Sequence, residues 1–208
     1  MQGKPLNMKQ PNSEDIVRCN WVGQHEDYKA YHDDEWGRPV TDDSALFERI
    51  CLEGFQAGLS WLTILRKRES FRSAFETFEP SRVAEFNLKK IETLMNDSRI
   101  VRNRAKILST INNAQCALEM IKEHGSLASF LWSFEPSSKK HKSSNTIPSL
   151  TDDSKKLSSE LKKKGWSFVG PTTTYALMQA VGLVNDHVTG CWVFENVEKD
   201  RQKLSRPV

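Results

Sequence analysis

Four side chains able to bind a soft metal stand near the two ends of the chain. Cys19 and His32 lie early, and His187 and Cys191 lie late, within the stretch NDHVTGC. On a helix, positions 187 and 191 share one face. Two thiolates and two imidazoles suit tetrahedral zinc, and four protein ligands leave no open position, so such a site is structural. The spacing leaves a second reading open, in which the late pair is an ordinary surface or core pair and never meets Cys19 and His32. Cys51 and Cys116 sit among apolar helical positions and read as small buried hydrophobes.

A second cluster lies between Tyr28 and Trp61, in YKAYHDDEWGRPVTDDSALFERICLEGFQAGLSW. Tyr28, Tyr31, Trp36 and Trp61 supply aromatic faces, which hold planar rings and gain further from a cationic one. Glu53, amid an apolar helix end, can accept hydrogen bonds from a ring's amino group. The bland alternative is an aromatic core beside a solvated glutamate at the Gly54 bend.

The elements that must position these groups are helical. Asp42 or Asp43 caps a segment with Leu46, Ile50 and Leu52 at apolar spacing. Pro80 and Ser81 read as a stop and a new cap. NLKKIETLMND is a short amphipathic helix. The stretch from Arg99 reads as a long one, with Val101, Ala105, Leu108, Ile111, Ala114, Leu118 and Ile121 as its apolar stripe and Gly125 as its end. Thr151 caps a further helix ending at Gly165. GPTTTYALMQAVGLVNDHV reads as a single buried helix carrying His187. Strand alternation is nowhere sustained, so the predicted class is all-α.

A chain of 208 residues fits one domain or two intimate lobes. Residues 1–17 read as a leader, 18–194 as the folded domain with an exposed loop at 135–150, and 195–208 as a polar tail that frays. The net charge of +3 permits a polyanionic partner without demanding one. The polar N-terminal stretch is unlike a signal peptide, and no apolar run approaches a membrane span. A cytoplasmic protein without disulfides, a monomer making no membrane contact, is the expectation.

Longer motifs then narrow the reading. RCNWVG, YHDDEWGRP, LFERICLEGFQAGLSWLTILRKRESFR, WSF and GWSFVGPTTTYALMQAVGLVNDHVTGC resemble the 3-methyladenine DNA glycosylase I family, from about Arg18 to Cys191. The resemblance implies a helix-hairpin-helix glycosylase fold with the base pocket between two helical lobes. It also implies one structural Zn2+ held by Cys19, His32, His187 and Cys191. Glu53 falls on the pocket glutamate that reads the methylated base. Tyr28, Tyr31 and Trp61 fall on the pocket aromatics, with Trp36 as a supporting wall. Leu59 falls on the residue that probes the stack where a base has been flipped out.

The implied substrate is double-stranded alkylated DNA, and the implied reaction is hydrolytic release of 3-methyladenine in base-excision repair. The resemblance further implies that the catalytic aspartate common in this superfamily is missing, and no lysine is placed by motif as a Schiff-base nucleophile. Asp186 adjoins His187 and reads as a support residue. A monofunctional enzyme leaving an abasic site is the expectation. The hairpin, Leu94–Ile107, departs from its relatives in the superfamily, because its turn reads Asp97-Ser98-Arg99-Ile100 without glycine. Arg99, Arg102, Arg104 and Lys106 are its candidate phosphate contacts, the alternative being a solvated basic face. A damage binder without catalysis and a zinc-stabilised interaction module are the competing classes, separable by excision and by salt-dependent duplex binding.

Overall fold

A computed structural model describes residues 16–137 and 147–208. Nearly all of the predicted leader and the middle of the predicted 135–150 loop lie outside those residues.

The chain builds around α2 (Asp43–Gln56). Asp42 caps it by accepting from the Ala45 amide at 2.8 Å. Every residue from Leu46 to Phe55 is buried, so this helix is covered all round rather than along one stripe. Its neighbours are α3 (Trp61–Ala74), α6 (Arg104–His124), α7 (Leu127–Trp132) and α9 (Pro171–Ala180). Phe55, Phe71, Phe75 and Phe78 meet between α2, α3 and a 3-10 turn at Glu76–Phe78, with Phe55 and Phe71 centroids 4.6 Å apart. Burying each such ring contributes about 2–3 kcal/mol. No strand occurs among the described residues, so the all-α expectation holds.

Around this centre, α1 (Glu26–Asp34) packs on α3, α4 (Pro80–Val83) and α5 (Leu88–Asn96) on α6, and α8 (Asp152–Lys163) on α9. Thr151 and Ser154 close a capping box at the start of α8. Pro80 opens α4 as its first residue rather than ending the preceding element, because a first-turn proline lacks only an amide that the helix does not use.

Four expectations need correction. The long helix starts at Arg104, where Asn103 accepts from the Lys106 amide at 3.1 Å, and not near Arg99. Its buried stripe runs through Ile107, Ile111, Ala114, Ala117 and Met120, while Leu108 and Leu118 face solvent. Next, α9 stops at Ala180, so His187 and Cys191 stand on the loop that follows. Gly182 explains the stop. It adopts φ +79, and a Cβ there would sit 2.7 Å from the Arg38 carbonyl carbon and the Pro39 nitrogen. Finally, the predicted tail is α10 (Phe194–Lys203). Arg201 anchors it to Glu135 at 3.0 Å and to the Gly182 carbonyl at 2.8 Å, and Val197 is fully buried. A polar composition hid these inward contacts. No described helix is long and apolar enough to cross a membrane.

Candidate functional site

The backbone contact at Gly182 lays the loop after α9 against Gly37–Pro39, and so brings the two chain ends together. Cys19 precedes a 3-10 turn at Asn20–Val22, and His32 lies in the last turn of α1. Together with His187 and Cys191 they form one buried cluster whose donor atoms all lie within 4.8 Å of one another. Cys19 Sγ is 3.7 Å and Cys191 Sγ 3.4 Å from His187 Nδ1, and Cys191 Sγ is 3.5 Å from His32 Nε2. Tetrahedral bonds of about 2.0–2.3 Å imply donor separations of about 3.3–3.8 Å, so this spacing fits a single ion. His32 and His187 reach the cluster although 155 residues separate them, as the resemblance implied.

The outer face of each imidazole settles its tautomer. His32 Nδ1 lies 2.7 Å from Asp33 Oδ1, and His187 Nε2 lies 3.0 Å from the Trp36 carbonyl. Both partners are acceptors, so each ring donates its proton outward. The inward nitrogens then point lone pairs at each other across 3.2 Å. A cation between them relieves that repulsion. Between the thiols, Cys191 is held low, chiefly by a hydrogen bond from Cys19, and Cys19 is pushed up by the same bond and by burial. Asp33 is braced by Arg18 and by the Trp192 indole N–H at 3.0 Å. A Cβ on Gly37 would press on the His187 ring at 3.3 Å. Asp186, in contrast, accepts from Tyr175 at 2.6 Å and Gln179 at 2.7 Å, which ties the ligand loop to α9.

Beside this cluster lies the aromatic group. Trp36 edges against His187 at 4.7 Å and forms a wall between the two sites. Tyr31 and Trp61 touch at 5.4 Å between centroids, tilted 47°. A planar base between two faces needs about 7 Å, twice the base step of roughly 3.4 Å, so a base lies against this pair rather than between its members. Tyr28, half-buried, stands 6.5 Å from Tyr31. The site that sequence reasoning missed is Trp21, which packs on Tyr28 at 5.0 Å and Trp36 at 4.9 Å. Its place two residues after Cys19 was the available signal. The indole N–H groups of Trp21 and Trp61 are buried without a partner among the described residues.

Glu53, on the last turn of α2, is 5% exposed, which excludes the solvated-bend reading. No described residue donates a hydrogen bond to its carboxylate, and burial raises its pKa to about 8, against a smaller downward pull from Arg49. Arg49, one turn earlier, was also missed, although the i, i+4 spacing was visible. Its guanidinium lies over the Tyr31 ring at 5.8 Å and binds Glu35 at 2.6 Å, and Arg68 grips the same Glu35. Glu35, set between two arginines, falls to about 2 despite its burial.

The hairpin between α5 and α6 is exposed at Arg99, Arg102 and Arg104. Asp97 replaces the missing glycine. It accepts from the Arg99 amide at 3.0 Å and pairs with the Arg99 guanidinium at 2.7 Å. Arg104 pairs with Glu92 at 2.7 Å. Lys106 does not face outward as expected. It is 8% exposed and donates to the carbonyls of Phe55 at 2.8 Å and Ala57 at 2.6 Å, because the end of α2 leaves those acceptors unfilled. Lys67 in turn donates to the Arg99 carbonyl at 2.9 Å. Lys106→Met strands two buried acceptors, and a loss of about 2–3 kcal/mol is expected in a denaturant titration. Leu59, 44% exposed, tops the turn that Lys106 secures.

Fold and site define a class: a helical domain closed at its ends by a Cys2His2 cluster, with a carboxylate buried among aromatic rings. A family model described as methyladenine glycosylase matches residues 21–195. DNA-3-methyladenine glycosylase 1 of Escherichia coli (strain K12) is 49% identical over 179 residues, 85% of this chain and 96% of that protein. A crystal structure of 3-methyladenine DNA glycosylase I superposes with a TM-score of 0.80 at 49% identity, covering 85% of this chain and 98% of the other. A Staphylococcus aureus structure, described as the basis of 3-methyladenine recognition by the same enzyme, gives 0.79 at 37% identity over 86% and 96% of the two chains. The chain therefore belongs to the methyladenine glycosylase family.

Proposed function

We propose that the protein flips a 3-methyladenine nucleotide out of double-stranded DNA and hydrolyses its glycosidic bond, leaving an abasic site and an uncut strand. The observation that carries this reading is Glu53, a buried carboxylate within electrostatic reach of Tyr28 and Tyr31 and with no hydrogen-bond donor among the described residues. Such a group is costly in an empty pocket and is stabilised by a bound cation bearing an amino donor. N3-methylated adenine is formally cationic and carries that amino group. Neutral adenine offers Glu53 less, so discrimination arises from pocket affinity together with the lability of the damaged bond.

When the bond from C1′ to the base nitrogen breaks, its electron pair neutralises the departing base. Water supplies the oxygen that replaces it at C1′ and loses a proton to solvent. Glu53 and the aromatic faces hold the base through this change. Extraction of the nucleotide costs a few kcal/mol and costs least for a damaged base.

Zinc is the ion proposed for Cys19, His32, His187 and Cys191, because two thiolates and two imidazoles at tetrahedral spacing select it. With all four positions filled by protein, it supplies a structural tie. Leu59 is the proposed probe of the vacated stack, and Arg99, Arg102 and Arg104 the proposed phosphate contacts of a monomer on alkylated DNA.

The test is release of free 3-methyladenine from methylated duplex DNA, with 7-methylguanine followed in the same chromatogram. Selective release supports the reading, and no release from folded, metal-loaded protein refutes it. For the hairpin, Arg99→Ala is expected to weaken duplex binding and to flatten the slope of log K against log salt by about 1. An unchanged slope removes Arg99 from the contact.

A further inference from the structure

The loop between α8 and α9 holds an aromatic residue in a conformation that aromatic residues avoid. Phe168 has φ +56, the left-handed region. The residue is 39% exposed, while Trp166, two positions before it, and Val169, just after it, are buried. No other exposed large apolar residue among those described has a positive φ.

The neighbours show what enforces this geometry. The Asn113 side chain donates to the Ser167 carbonyl at 3.0 Å and accepts from the Ser167 amide at 2.9 Å. Ser109 and Ser167 share a hydroxyl contact at 2.6 Å. The Val169 carbonyl accepts from Ser158 at 2.6 Å and Thr174 at 3.1 Å. The backbone on both sides of Phe168 is thus fixed by buried side chains, and the ring is turned outward. Strain that the surroundings over-determine is a mark of functional positions.

Its location says what the ring meets. Phe168 lies directly on Gly54, where a Cβ would come within 3.3 Å of the Phe168 Cβ. Gly54 follows Glu53 in the chain and precedes the turn that carries Leu59. Helix α6 fastens both features from one side, Lys106 through the carbonyls of Phe55 and Ala57, and Ser109 with Asn113 through Ser167. Two exposed apolar side chains, Leu59 and Phe168, are therefore held at the same end of α2 that carries Glu53.

We infer that Phe168 is a second apolar contact with duplex DNA, its ring packing on a nucleotide beside the one that is flipped. This rests on the glycosylase reading above. An aromatic face suits a nucleobase of any sequence, which a repair enzyme requires.

Phe168→Gly separates this role from a structural one, because glycine adopts φ +56 without strain. The melting temperature is expected to be unchanged or higher. Affinity for free 3-methyladenine, read by tryptophan fluorescence, is expected to match wild type. Affinity for a duplex containing one abasic site, and excision from methylated duplex, are each expected to fall at least tenfold, with partial recovery in Phe168→Leu. Wild-type excision and duplex affinity in Phe168→Gly overturn the inference. So does a drop in melting temperature and free-base affinity that accounts for the lost activity. If the wild type released no base and the variant still lost duplex affinity, the glycosylase reading would fall and the contact would stand.

Discussion

Glu53→Gln is expected to lose excision of 3-methyladenine by about 100-fold or more while melting at a higher temperature than wild type at pH 9. The two halves have one cause. The carboxylate is buried, lacks a donor among the described residues, and has its pKa raised to about 8 from an ordinary value of 4.5. Glutamate in the unfolded chain ionises near that ordinary value. Below it, both states are protonated and the mutation changes little. Between it and about pH 8 the unfolded state gives up its proton first, so each step in pH favours unfolding of the wild type. Above about pH 8 the difference is constant. One pKa unit corresponds to about 1.4 kcal/mol, so the penalty approaches about 5 kcal/mol, offset in part by the cost of burying the glutamine amide. Arg49 relieves only a small part of it, because its charge is already shared with Glu35. Melting curves of both proteins from pH 4 to pH 9 check the prediction, with excision assayed alongside. Parallel curves, or wild-type excision in the variant, would remove Glu53 from its assigned role.

Much of this site was legible because its residues carry distinctive chemistry in long motifs. Cys19, His32, His187 and Cys191 were all identified before their proximity was visible, and Tyr31 lies against Trp61 and within electrostatic reach of Glu53. What sequence could not show was which side of a residue faces in. Lys106 belongs to a run of basic residues, and only the unfilled carbonyls at the end of α2 turn it inward. Arg99 reads as a free cation, yet Asp97 two residues earlier claims both its amide and its guanidinium. The apolar stripe of α6 was placed too early because Leu108 and Leu118 fall on helical spacing but face away from α2 and α4. The helix expected to carry His187 ends early because Gly182 must let another backbone approach, a long-range contact that local periodicity does not encode. The polar tail becomes α10 through Arg201, whose partners Glu135 and Gly182 are remote in sequence.

Cys191→Ser is the companion experiment at the other end of the site. The variant is expected to lose its metal and to unfold about 5 kcal/mol more easily, the scale for closing a loop longer than about 100 residues with a cross-link. Cys19 and His187, which the proposed ion would join, are 168 residues apart, so nearly the whole folded chain lies inside that loop. Serine is a poor zinc ligand, and losing the ion leaves the facing lone pairs of His32 and His187 unrelieved. Cys51→Ala is the control: it removes a buried sulfur that has no metal partner, so about 1 kcal/mol and an unchanged metal content are expected. Excision should decline with the metal, because Trp36 touches His187 on one side and Trp21 of the aromatic group on the other. Metal content by mass spectrometry, together with melting curves before and after chelation, decides the matter. A Cys191→Ser protein with full metal and an unshifted melting curve would show that Cys191 is not a ligand of that metal. A chelated wild type that matches Cys191→Ser in stability would assign the whole loss to the ion rather than to the serine.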